Sequence, residues 1–201
     1  MTPIVLASAS PRRKALLTAL GLSMEVVVSN APESIDGPPG DAVLANARAK
    51  RDDVAARLDS NALVIAADTL VVLDDHVLGK PADRAEARAM LLLLAGKTHQ
   101  VLTGVAIVDT GRAAVAEGIE STDVTFRDLS PGEIDRFIDV VNPLDRAGAY
   151  TVDGPGSLLV ARYRGCYQNV LGLPMVRLDC VLRQIGVSLF DAMDKAGAVF
   201  L

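Results

Sequence analysis

The sequence predicts an α/β fold built on a mixed β-sheet. Three observations carry this. Short apolar runs alternate with helix-like stretches through the first third of the chain. The run "LVIAA" at 63–67 is uninterrupted apolar, the pattern of a strand buried on both faces. Two long strand-like segments, 101–108 and 113–126, flank the turn signal Asp109-Thr110-Gly111, as antiparallel neighbours do.

In chain order, residues 3–7 read as a strand and 11–20 as a helix, with Ser10 as N-cap, Pro11 in the first turn and Gly21 as the stop. Residues 24–29 read as a second strand. Residues 41–58 are helical, with Val43, Ala47, Val54 and Leu58 on one side. The strand 63–67 ends in Asp68 and Thr69, resumes over 70–73, and turns at Asp74-Asp75. Asp83 and Glu86 have capping-box spacing before a helix reaching Leu94, with Gly96 after it. Ser130, Pro131 and Glu133 open a helix whose apolar face holds Ile134, Phe137, Ile138 and Val141. Residues 149–152 and 157–163 read as strands around the loop Asp153-Gly154-Pro155-Gly156, and 174–185 as the last long helix. With no repeat and no linker, the expectation is a single domain, 1–201.

Composition excludes several functions. The chain has 201 residues, 50% of them hydrophobic, enough for a sizeable core. It has no Trp and only 3% aromatic residues, which argues against stacking platforms for single-stranded nucleic acid. A net charge of -5 argues against a polyanion read along a broad surface, yet leaves room for a small anion in one basic pocket. Cys166 and Cys180 are too few and too scattered for a zinc site or disulfide framework, and both read as buried thiols. The first ten residues put the apolar run before the charges, the reverse of a signal peptide, and the longest apolar run, 89–95, is far short of a membrane span. These features predict a protein of the reducing cytoplasm, without nucleic-acid or membrane partners.

Chemistry is concentrated at a few places. In "LASASPRRKALL", three cations sit at a helix start, where the backbone's own partial charge repels them. A phosphate resolves that conflict: the free N–H groups, the hydroxyls of Ser8 and Ser10 and the planar donors of Arg12 and Arg13 suit its oxygens. The same residues also fit a solvated basic turn. Asp68, after a buried apolar run, fits a general base or an Mg²⁺ ligand at a strand end, or a turn aspartate. Lys80, between Gly79 and Pro81, fits a phosphate contact or an exposed turn. Glu33 alone reads as a solvated loop residue, and Asp153 as a turn residue on a loop that permits close backbone approach. His76 and His99, the two histidines, form no metal-ligand pair and read as structural.

Taken together, "LASASPRRKALL", "AADTLVVLDDHVLGKPADRAEARAMLLLLAGKTHQVLTGVAI", "DRAGAYTVDGPGS" and "YQNVLGLPM" resemble the Maf family of nucleoside triphosphate pyrophosphatases, once described as septum-formation inhibitors. The resemblance spans Leu6 to Met175 in family order. It implies an elongated mixed sheet flanked by helices, two lobes with a nucleotide-binding cleft between them, of the kind shared with inosine-triphosphatase-like proteins. It implies hydrolysis of a nucleoside triphosphate between the α- and β-phosphates, a divalent cation (Mg²⁺ or Mn²⁺) and a homodimer. Carried over by motif, Ser8, Ser10, Arg12 and Arg13 cradle the triphosphate and Lys80 contacts phosphate. Asp68 accepts a proton from the attacking water and, with Glu33, holds the metal. Asp68-Thr69 is the form found in dTTP- and UTP-using members, whereas Asp-Gln marks those preferring 7-methyl-GTP. The chain departs from the family pattern at Ala15, usually Glu; at Arg48, aligned with a usual Lys although Lys50 lies two residues on; and at Asp153, usually Gln. An ionised Asp153 accepts hydrogen bonds but donates none, so it suits the N3–H of uracil and also a guanine edge. A purine-type pyrophosphatase and a nucleotide sensor of cell division with little turnover are the alternative readings.

Overall fold

The apolar strand segments form one sheet, and helices cover its two faces. The computed structural model describes residues 2–194 and 197–199. Its seven strands are β1 (Ile4–Leu6), β2 (Met24–Val26), β3 (Leu63–Leu73), β4 (His76–Leu78), β5 (Thr98–Asp109), β6 (Ala114–Phe126) and β7 (Val160–Arg164). The helices are α1 (Pro11–Thr18), α2 (Pro39–Ala55), α3 (Arg84–Leu94), α4 (Pro131–Val141), α5 (Tyr167–Val170), α6 (Met175–Arg183) and α7 (Leu189–Ala192). The sheet order is β2-β1-β3-β5-β6-β7, with β4 also on β3. β1 runs parallel to β2 and β3, and all other pairs are antiparallel, so the sheet is mixed as predicted.

β3 organises the molecule. One edge pairs with β5 without a break from Leu63 to Val72. The other edge pairs with β1 at Leu63–Ile65 and with β4 only from Val71 onward. Residues 66–70 therefore have no strand partner on that edge, and the cleft opens at this gap.

Strand alternation then sorts the core. Leu63, Ile65 and Ala67 pack in one cluster with Ile107, Leu178 and Leu182 of β5 and α6. Val71 and Leu73, on the same face, pack in a second cluster with Leu91, Leu94, Phe126 and Ile134. Truncating one such buried leucine to alanine costs about 2–5 kcal/mol. Between the clusters runs a polar stripe. Thr69 Oγ1 lies 3.0 Å from Thr103 Oγ1, and Thr103 donates to the Asn169 carbonyl at 3.1 Å. The Asn169 amide donates to the Val101 carbonyl and to Thr122 Oγ1. Thr103, Thr122 and Asn169 are fully buried, so these bonds satisfy groups that water does not reach. They pin α5 to the sheet and separate the two clusters on this face.

On the opposite face, α2 lies against β3 and β5. A Cβ on Gly104 would stand 2.7 Å from the Val43 carbonyl, so only glycine lets α2 come this close. Gly104 is the β5 partner of Asp68, and the contact brings α2 over that carboxylate.

Several expected elements differ. β3 is continuous through Asp68 and Thr69, because β5 supplies ladder partners across both residues. Residues 149–152 form no strand: Ala149 takes φ 59° at the end of a short turn, Ala147–Ala149, and the chain stays irregular while burying Tyr150 and Val152. The segment 157–163 divides into a turn of helix, Gly154–Leu158, and β7. β2 is shorter than 24–29, α1 ends at Thr18, α6 stops at Arg183, and α2 starts at Pro39 and ends before Leu58. The short helices α5 and α7 have no periodicity long enough to read. Cys166 is partly exposed and Cys180 exposed, against the expected burial. Leu178, Val181 and Leu182 form the inner face of α6, and Cys180 falls outside it. The caps hold: Ser130 and Glu133 make both bonds of a capping box, and Asp74 and Asp75 form the hairpin turn with φ 49° and 66°.

Candidate active site

The cleft, about 370 Å³, lies at the gap in the β3 edge. It is lined by Arg12, Arg13, Lys50, Lys80 and Arg146 against the carboxylates Glu33, Asp68 and Asp145. An excess of cations in a chain of net charge -5 is a local basic pocket in an acidic protein.

Its first wall is the turn from β1 into α1. Ser10 caps α1, its Oγ accepting from the Arg13 N–H at 3.4 Å, and Pro11 needs no amide partner in the first turn. The Ser8 hydroxyl accepts from the Ser10 N–H at 3.2 Å and from Arg13 Nη1 at 3.1 Å. Arg13 Nε donates to the Gly172 carbonyl at 2.7 Å, and Nη2 to Thr69 Oγ1 at 3.0 Å. All three acceptors are neutral. The planar fork is thus held in one orientation while its charge is left without a carboxylate within ion-pair distance among the described residues. Burial lowers the Arg13 pKa from its ordinary value, a shift that the charge of Asp68 opposes and that of Arg12 reinforces. The Arg12 guanidinium, half-buried, has no hydrogen bond or ion pair among the described residues. Burial and the charge of Arg146 lower its pKa, against the opposing pull of Asp153 and Asp145. Arg13, anchored, and Arg12, unanchored, both present positive charge to the cleft without an ion pair among the described residues.

The second wall is acidic and fully paired. Asp68 is 5% exposed. Its Oδ2 accepts from the Asn46 amide at 2.9 Å, and its Oδ1 from Lys50 Nζ at 2.6 Å. The same ammonium donates to Glu33 Oε1 at 2.6 Å, and Lys80 Nζ lies 3.6 Å from Glu33 Oε2. Burial alone would raise the Glu33 pKa, but the hydrogen bond and charge of Lys50 and the charge of Lys80 bring it below the ordinary carboxylate range. Asn46 also ties down the loop before α2, exchanging bonds with the Ser34 backbone at 2.8 and 2.9 Å.

Of the residues singled out from sequence, Ser8, Ser10, Arg12, Arg13, Glu33, Asp68, Thr69 and Lys80 all line this one cleft. Arg48 does not. Its guanidinium pairs with Glu117 on the exposed face of α2. The lysine expected in the helix after Glu33 is Lys50: it lies one turn after Asn46 on the face toward the sheet, whereas Arg48 points nearly the opposite way. Asp153 lies outside the cleft lining and accepts a hydrogen bond from the Thr151 hydroxyl, the turn contact its loop suggested, though its charge still acts on Arg12. Ala15 is exposed on α1. Asp68 lies in mid-strand rather than at a strand end, because the strand that stops there is β1. Asn46, Arg146 and the Gly172 carbonyl were not singled out. The one readable signal was a polar Asn46 one turn from Lys50 on an otherwise apolar helix face.

The residues fit a divalent cation that shares its shell with a substrate. Mg²⁺ takes one or two carboxylates and fills its octahedron with water and phosphate oxygens. Glu33 and Asp68, bridged by one ammonium, supply such a pair, and among the described residues no set of three or more His, Cys, Asp or Glu side chains forms an all-protein cage. No helix among them is long and apolar enough to cross a membrane.

A dTTP/UTP pyrophosphatase of Desulforamulus reducens is 44% identical over 192 residues, covering 94% of this chain and 100% of that protein. One of Moorella thermoacetica is 47% identical over 192 residues, covering 94% and 98%. One of Bacillus anthracis is 42% identical over 194 residues, covering 96% and 100%. The family model described as Maf-like protein matches residues 3–185, and with that match over most of its length the chain belongs to the Maf-like protein family.

Proposed function

We propose that this protein is a nucleoside triphosphate pyrophosphatase that hydrolyses dTTP, UTP or related modified nucleotides to the monophosphate and pyrophosphate. The observation that carries the reading is the opposition within one cleft: Arg12 and Arg13 with charge unspent on one wall, Asp68 buried on the other. Full-length relatives named dTTP/UTP pyrophosphatase support it, as does Thr69 beside Asp68.

In this reading Arg12, Arg13 and Lys80 neutralise the triphosphate and the charge that gathers on the leaving pyrophosphate. Ser8 and Ser10 add neutral donors near the helix start. The water oxygen bonds to the α-phosphorus, the α–β bridging oxygen leaves with pyrophosphate, and Asp68 takes one water proton. Asn46 secures Oδ2, so Oδ1, once Lys50 releases it, is the oxygen that takes that proton. A divalent cation held by Glu33 and Asp68 would polarise the phosphate oxygens and neutralise charge there. We further propose a cytoplasmic homodimer, as the family likeness implies, which light scattering would check.

The test is pyrophosphate release from a panel of canonical and modified triphosphates with Mg²⁺ or Mn²⁺. We expect dTTP and UTP to lead. Tight binding without release from any nucleotide would replace the enzyme with a sensor. A purine lead, with 7-methyl-GTP foremost, would instead assign a base-reading role to Asp153.

A further inference from the structure

The Lys50 ammonium occupies the space between the two carboxylates that fit a metal. It lies 2.6 Å from both Asp68 Oδ1 and Glu33 Oε1. Its side chain is 12% exposed and that of Asp68 is 7% exposed, so water screens the Lys50–Asp68 pair little, whereas Glu33, 45% exposed, is the solvent-facing end of the bridge. Among the described residues no third acidic, His or Cys side chain joins the pair, so a cation bridging the two carboxylates competes with Lys50 for them. Arg12, Arg13, Lys80 and Arg146 line the same cleft. A bare divalent ion would therefore enter a pocket already rich in positive charge, against a competitor in place.

We infer that Lys50 is a resident counter-ion that holds Glu33 and Asp68 closed to free divalent metal, and yields them when the metal arrives with a triphosphate. A triphosphate removes both obstacles. Its oxygens neutralise the arginine wall, and they give the Lys50 ammonium an alternative anion within reach of its flexible four-carbon stem. Backbone movement is not required: α2 stays seated on Gly104, and Asn46 keeps its bond to Oδ2. Binding is then ordered, with metal and nucleotide entering together, and the idle site stays charge-balanced without metal. The inference rests on the metal-assisted reading above.

The test uses Mn²⁺ alone, with the intact protein at neutral pH and no nucleotide. Free Mn²⁺ is measured by electron paramagnetic resonance, and thermal unfolding is followed in parallel. Wild type is expected to bind Mn²⁺ weakly, with an unmoved Tm. Lys50→Met is expected to bind it at least about tenfold more tightly, with a Tm that rises on adding Mn²⁺. Lys50→Gln, which keeps a donor without the charge, serves where the methionine leaves the buried Asp68 too costly to fold. Adding Asp68→Asn to either variant abolishes the gain. A non-hydrolysable α,β-methylene dTTP analogue gives wild type the tight Mn²⁺ binding it lacks alone. Equal Mn²⁺ affinity in wild type and both variants overturns the inference, as does tight binding to wild type without nucleotide. Neither outcome touches the pyrophosphatase reading, which only the nucleotide panel can sink.

Discussion

Asp68 and Thr69 are adjacent in β3 and face opposite sides of the sheet, and the two halves of the cleft built on them differ in kind. On the Thr69 side, Arg13 is anchored by three neutral oxygens, from Gly172, Ser8 and Thr69. Its position is set and its charge is left for a ligand. On the Asp68 side, every charge is already answered, with Lys50 bridging both carboxylates and Asn46 holding the remaining oxygen. In the proposed reading, one wall is preorganised for an anion and the other exchanges partners before it acts. Electrostatic preorganisation favours the first arrangement wherever charge develops on phosphate.

The comparison breaks most sharply at Asp68. Asp68→Asn keeps the side chain's shape, so the fold should persist by circular dichroism while kcat drops by about 10²–10⁴. Rates within a few-fold of wild type would remove Asp68 from proton transfer.

The Thr69 side rests on buried aromatic packing that should be sensitive to acid. His99 is 2% exposed, edge-on to Phe126 and Tyr150, with Nε2 2.7 Å from the Tyr150 hydroxyl. Burial lowers its pKa from 6.5 to about 4. The folded state thus takes a proton less readily than the unfolded chain. Its stability is complete above pH 6.5 and declines as pH falls toward 4, by up to about 3 kcal/mol. Tm measured between pH 7 and 5 should show the decline, and His99→Gln should flatten it. An equal slope in both proteins would assign the acid sensitivity elsewhere.

The Asp68 side depends instead on how closely α2 seats. Gly104→Ala sets a methyl against the Val43 carbonyl and should cost about 1–3 kcal/mol in denaturant unfolding, with activity falling further than Tm implies. An unchanged midpoint would show that α2 can retreat without cost. On the anchored wall, Arg13→Lys surrenders the fork geometry, and kcat/KM should fall about 10- to 100-fold. Arg12→Lys, with no anchoring bonds to lose, should fall less; equal losses would erase the contrast between the two arginines. The smallest effect is expected at Arg48, where Arg48→Ala breaks only an exposed pair with Glu117. Stability should move by under about 1 kcal/mol, and kcat/KM should stay at the wild-type value.

The legible parts of the site are those that the chain builds locally. Ser8, Ser10, Arg12 and Arg13 lie within one strand-to-helix turn, and a cap, a proline and a crowd of cations suffice to mark it as one wall of the cleft. Thr69 and Lys80 came with the motifs around them. Arg48 failed because two residues of helix rotate a side chain to the far face, and nothing local states the phase of α2 relative to the sheet. Asp68 lines the cleft as its chemistry suggested, but in mid-strand rather than at a strand end. A carboxylate that interrupts an apolar run resembles a strand end, whereas β5 continues the ladder past it.

By itself, the sequence determined the mixed α/β class, the capped starts of α1 and α4, and the chemistry of the two walls, because propensity, capping and apolar periodicity act over a few residues. Only the tertiary structure decided that β1 ends opposite Ile65 while β3 runs on, that Gly104 lets α2 settle over Asp68, and that Lys50 rather than Arg48 faces the carboxylates. Those outcomes depend on strand register and helix phase, which are set by packing between segments distant in the chain.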